Sequence, residues 1–218
     1  MKQRLVQLFA VLLTLTGAAS TASADDGSYV VTITNLTRGS VFTPALVVTH
    51  KKGLSVFTEG AAASDELAQL AEGGATQPLL DALTATGKVE DSGTSGLIFP
   101  GTSVSVTVKM DDDAKRISFA SMILPTNDGF IGANGIKGPG KGKTRVMYIK
   151  AMDAGSEMND EFCLSIPGPH CGGGEGYNAA GGEGYVHVHA GIHGEADLKA
   201  SDYDWRNPVA KVSITRIK

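Results

Sequence analysis

Between clusters of glycine and proline, apolar residues in this chain recur at every second position, the period of a strand rather than of a helix. Tyr29, Val31 and Ile33 alternate within Tyr29–Asn35, and Val104, Val106, Val108 and Met110 do so farther along. Ile117, Phe119, Ser121 and Ile123 repeat the pattern until Pro125 stops it. Val41–His50, Arg145–Met152, Gly184–Ala190 and Val209–Ile217 bring the total to about seven strands. Pro44 lacks a ladder N–H, which predicts an edge position or a bulge in its run.

Two short helices interrupt the strands. Ser64 before Asp65 and Glu66 is a helix start, and Gly73-Gly74 is its stop. Thr76 with Pro78, and Gly87 beyond the last apolar residue, mark the second. Placed in a long connection, they would cross between sheets. Many antiparallel strands with one helical excursion predict an all-β sandwich. Gly129–Lys143 and Gly172–Gly184 are glycine-rich enough to predict loops.

Residues 1–24 stand apart. Lys2 and Arg4 precede a mostly apolar Leu5–Leu15, and Ala22-Ser23-Ala24 has the small residues that signal peptidase requires. About a dozen apolar residues fall short of the roughly 20 that span a bilayer. The expectation is a cleaved secretory signal, a new N-terminus at Asp25, and one domain over 25–218 in a secreted or periplasmic protein. Formal net charge is −4, and more negative once Lys2 and Arg4 are removed. Nucleic acid, which requires a cationic footprint, is excluded as a partner. The two cysteines, Cys163 and Cys171, are expected to pair in an oxidising compartment.

The chemistry concentrates at PTNDGFIG (Pro125–Gly132) and MDAGSEMND (Met152–Asp160), where carboxylates follow directly on strands. Calcium takes six to eight oxygen ligands, and loops at one end of a sandwich can converge them. Asp153 and Glu157 lie four apart, and Asp128 joins from a separate strand end. Strand ends also carry solvated acids that bind nothing, so spacing alone leaves both readings open.

VFTPALVVTH, SFASMILPTNDGFIG, YIKAMDAGSEMNDE and the terminal NPVAKVSITRIK together resemble the spondin N-terminal domain family, found in F-spondin, mindin and single-domain bacterial exported proteins. The resemblance implies an eight-stranded antiparallel sandwich, similar in plan to C2 domains, with calcium at one edge. It also implies that Asp128, Asp153 and Glu157 are the ligands, Glu157 standing where the family has aspartate. Gly129 replaces the tryptophan of animal members. A further acidic ligand of some members falls near Lys109, which cannot bind a cation, although Asp111 to Asp113 lie close by. The implied role is non-catalytic recognition of an extracellular or envelope ligand, protein or glycan.

HVHAGIHG (His187–Gly194) supports a rival reading. On a strand, Tyr185, His187 and His189 share one face, with Val186 and Val188 on the other. His187 and His189, joined by His193 and by Glu183 or Glu195, would suit zinc or copper, for binding or for metal-dependent catalysis. The structural alternative is an outward polar face over a buried valine face. Other chemistry is poorly served. No GxSxG elbow exists, and a phosphate loop ending in Gly142-Lys143-Thr144 would need glycine where Lys137 stands. Trp205, in the turn before the last strand, is expected to cap the core.

Overall fold

The computed structural model describes residues 27–111, 116–174, 176–178 and 181–218. The expected signal at 1–24, the new terminus Asp25, and the substitute ligands Asp112 and Asp113 lie outside these residues. The strands are β1 (Gly27–Asn35), β2 (Val41–Phe42), β3 (Leu46–His50), β4 (Val89–Thr94), β5 (Ser103–Met110), β6 (Arg116–Leu124), β7 (Gly129–Lys137), β8 (Thr144–Ile149), β9 (Ala151–Asp153), β10 (His187–Val188) and β11 (Ala210–Arg216). The helices are α1 (Asp65–Gly73), α2 (Thr76–Ala85) and α3 (Ala200–Tyr203). One sheet runs β5-β1-β11-β8, and the other runs β10-β9-β7-β6-β3-β4 with β2 paired to β6. The fold is an antiparallel, all-β sandwich.

Alternation settles which face each strand buries. β1 alternates buried and half-buried residues along its length, placing Tyr29, Val31 and Ile33 between the sheets. There they meet Val47, Phe119, Ile131, Val212 and Ile214. β3 is buried at every position and β6 nearly so, because α1 and α2 cover the other face of their sheet. Leu67, Leu70, Leu79 and Leu83 of these helices pack with Leu46, Val48, Ala120 and Phe130. A strand covered on both faces reads as a continuous apolar run.

Several sequence expectations change. Val41–His50 is two strands, since Pro44 falls in the break between β2 and β3, and β3 is interior rather than an edge. Arg145–Met152 also divides. β8 belongs to the four-stranded sheet and β9 to the other, so the chain changes sheets at Lys150. Where the resemblance implies eight strands, the described residues form eleven, through these two divisions and short strands such as β4. The helices connect β3 and β4, neighbours in one sheet, and do not cross between sheets. β4 and α3 carry no alternation and were not anticipated.

The helix boundaries follow the sequence signals. Ser64 caps α1 by accepting the Leu67 N–H, and Gly74 closes it at φ 70°.

The predicted loop Gly129–Lys143 is β7 up to Lys137, because ladders from β6 and β9 hold it. Its glycines admit neighbours rather than mobility. A Cβ on Gly132 would lie 2.9 Å from the Phe57 ring and 3.0 Å from the Phe119 carbonyl.

Cys163 and Cys171 form a disulfide with Cα atoms 4.7 Å apart. Closing so short a loop limits mainly the unfolded chain. Replacing both cysteines by serine is expected to lower stability by about 2–3 kcal/mol. Urea unfolding checks this.

Candidate metal centre

Three strands bring the acidic residues together. Asp128 immediately precedes β7, and β7 pairs with β9 so that Gly129 lies opposite Asp153. β9 pairs in turn with β10, placing His187 opposite Asp153. Directly opposed residues of an antiparallel pair point to the same face. The Ala154–Glu157 turn after β9 then folds back over Asp128. Ser156 and Glu157 N–H groups donate to Asp128 Oδ2 at 2.8 and 3.1 Å.

Asp128, Asp153 and Glu157 are all buried. Asp153 is fully engaged: Oδ1 accepts the Gly155 N–H at 2.8 Å and Oδ2 accepts Asn159 Nδ2 at 2.7 Å. The other two are half-satisfied. Asp128 Oδ1 and Glu157 Oε2 are buried without a hydrogen-bond partner, while Glu157 Oε1 accepts Asn178 Nδ2 at 3.0 Å. Unpaired buried carboxylate oxygens are costly, so their protons are held tightly. Burial, then the charge of Asp153, raises the Asp128 pKa to about 7 despite the two backbone donors. Burial, then the charges of Glu72, Asp128 and Asp160, raises Glu157 to about 8.

Glu72 was not foreseen. It lies in the last turn of α1, fully buried, where an acid opposes the helix dipole and no basic residue offsets it. That misplaced charge was the available signal. Asn178 N–H donates to its Oε2 at 2.7 Å, so Asn178 ties Glu72 and Glu157 together, and Glu72 Oε1 is unpartnered. Burial raises the Glu72 pKa as well.

The second glycine-rich segment packs against this turn. A Cβ on Gly182 would lie 2.7 Å from the Glu157 carbonyl carbon and 2.9 Å from its nitrogen. Gly155, at φ 65°, would drive a Cβ to 2.7 Å from the Tyr185 nitrogen. Left-handed strain alone costs a non-glycine residue about 1–3 kcal/mol. Gly155→Ala is therefore expected to destabilise by more than about 3 kcal/mol, and to displace the Asp153–Glu157 turn. Thermal melting and calcium titration of this variant check both.

The histidines separate. The regular part of the predicted strand Gly184–Ala190 is only β10, and Val188 is exposed while His189 is buried, the reverse of the expected faces. His189 Nδ1 accepts the Gly191 N–H at 3.0 Å, and its ring lies 5.2 Å from that of Trp205. Trp205 is buried in the inner core, as a cap should be. His193 is exposed beside Glu195. His187 alone joins the acids, with Nε2 3.4 Å from Asp153 Oδ1 and 3.8 Å from Glu183 Oε2. Burial lowers its pKa, but the Val188 carbonyl and the charges of Asp153, Glu183 and Asp128 outweigh burial and raise it. Among the described residues, Asp153, Glu183 and His187 are the one such set with ligand atoms within 4.8 Å of one another. Neither Asp128, Asp153 and Glu157 nor the three histidines form one.

Residues 34–161 match the Spondin_N family model, more than half of the chain and a span holding Asp128, Asp153 and Glu157. The chain belongs to the spondin N-terminal domain family. No curated protein matches the sequence. Family membership supports an extracellular recognition-type module, and the disulfide accords with it. No helix among the described residues is long and apolar enough to cross a membrane.

Within this spondin domain the departures have structural reasons. A side chain at Gly129 would meet Thr126 Oγ1 at 2.7 Å and the His189 ring at 2.9 Å, so His189 fills the room that an aromatic at 129 would need. Lys109 lies on β5 of the four-stranded sheet and Asp111 just after it, whereas Asp153 lies on β9 of the other sheet and Asp128 just before β7.

Proposed function

We propose that this domain is an exported, non-catalytic recognition module that binds calcium through Asp128, Asp153 and Glu157. The reading is carried by the buried, unpartnered oxygens of Asp128 and Glu157 within a cluster of like charges. The donors are carboxylates, and all are hard oxygens of the kind calcium selects. When bound, the ion supplies positive charge that lets these acids ionise without repelling one another. Its ligands come from the entry to β7 and the exit of β9, so binding ties two loops of one sandwich end. Those loops then present a fixed surface to a protein or glycan outside the cytoplasm. The charge of Glu72 adds to that around Glu157, and Asn178 donates to both carboxylates.

The test is calcium content of the purified protein and calorimetric titration after chelation, followed by glycan and protein arrays with and without chelator. Absence of calcium heat would sink the cation reading. Array binding indifferent to chelator would separate recognition from the ion.

A further inference from the structure

We propose that Asp153, Glu183 and His187 form a second cation site, for a borderline transition ion such as zinc, adjoining the first through Asp153. The imidazole carries the case. His187 Nδ1 lies 3.1 Å from the Val188 carbonyl, an acceptor only, so Nδ1 holds the hydrogen. Neutral His187 therefore presents a bare Nε2. That atom is buried without a hydrogen-bond partner and faces Asp153 Oδ1 at 3.4 Å and Glu183 Oε2 at 3.8 Å. With the ring neutral, three electron-pair donors converge and none of the three carries a hydrogen toward the others. A cation resolves that arrangement.

The spacing suits a small ion. Ligands about 2.0–2.1 Å from zinc at tetrahedral angles stand about 3.3 Å from one another. An imidazole with two carboxylates matches zinc-like ions better than calcium, which selects oxygen. Outer contacts orient the set, as they do around metals generally. The Val188 carbonyl fixes the imidazole, the Gly155 N–H holds Asp153 Oδ1, and Asn159 Nδ2 reaches both Asp153 Oδ2 and Glu183 Oε1. The His187 side chain is 26% exposed although its Nε2 is buried, so the set lies just beneath the surface.

The same proton reasoning excludes His189. Its Nδ1 accepts an N–H, so the hydrogen of the neutral ring is on Nε2 and no lone pair is free. The site does not rest on the calcium reading, and Glu183 and His187 lie beyond the span matched by the family.

Calorimetric titration of the chelated, full-length protein with Zn²⁺ tests it. One site is expected, weakened at least tenfold by His187→Gln and by Glu183→Gln, and unchanged in His193→Gln. His187→Gln is expected to retain its calcium response, and near-ultraviolet circular dichroism shows that each variant is folded. Asp128→Asn is expected to keep zinc binding within a few-fold while losing calcium, so the two sites fail separately. No zinc heat, or loss in His193→Gln with His187→Gln unaffected, overturns the proposal.

Discussion

Asp128→Asn is expected to abolish calcium stabilisation while leaving the fold intact. The asparagine oxygen still accepts the Ser156 and Glu157 N–H groups that bind Oδ2, so the turn keeps its anchor. What disappears is the buried charge and the unpartnered Oδ1. A ligand that binds only the folded state stabilises by RT ln(1 + [L]/Kd), about 4 kcal/mol at a thousandfold excess over Kd. For a domain of this size each kcal/mol moves Tm by about 2–4 °C, so wild type should gain about 8–16 °C. The variant should gain less than about 2 °C under the same conditions. Scanning calorimetry in calcium and in chelator gives the comparison. A full shift in the variant would remove Asp128 from the site.

The calcium-free protein should lose stability as pH rises, opposite to the usual behaviour of salt-bridged acids. Asp128 and Glu157 have folded pKa values of about 7 and about 8, above their ordinary 3.8 and 4.5. The folded state thus holds these protons more tightly than the unfolded chain does. Their contribution is complete below the unfolded values and is lost as pH climbs through the folded ones. For Asp128, fully buried, a rise of about three units corresponds to on the order of 4 kcal/mol. Calcium competes with those protons and favours the ionised acids, so the slope should flatten or reverse when it is present. Urea midpoints at pH 5 and pH 8.5, each with calcium and with chelator, supply four points. A chelated protein equally stable at both values would contradict the proton-holding cluster.

Residues near one another in the chain were legible to very different degrees. Ser64 and Gly74 marked α1 because capping is a local hydrogen-bonding matter. Alternation in β1 and β5 was visible because each has one face in the core and one in solvent. Asp128, Asp153 and Glu157 were singled out by spacing and named as ligands through the family resemblance, and all three are buried near adjoining strand ends. β7 was hidden, since its glycines resemble a loop until flanking strands supply the ladder.

The histidine segment shows the limit most sharply. A period of two put His187 and His189 on one face, but regular pairing lasts only through Val188, and the chain then turns His189 into the core against Trp205. Hydrogen bonding to opposite partners gave the two rings opposite tautomers. Glu72 and Asn178 came from a helix and a glycine-rich segment far from the motifs, whereas Glu183 was legible four residues before His187.

By itself the sequence determined that this chain is a disulfide-bearing sandwich with acids at its strand ends, because periodicity, caps and turn residues act over a few positions. The tertiary structure decided which acids are buried, which oxygens go unpartnered and which imidazole faces them. Those properties depend on register between strands and on what covers each face, and neither is encoded in local spacing.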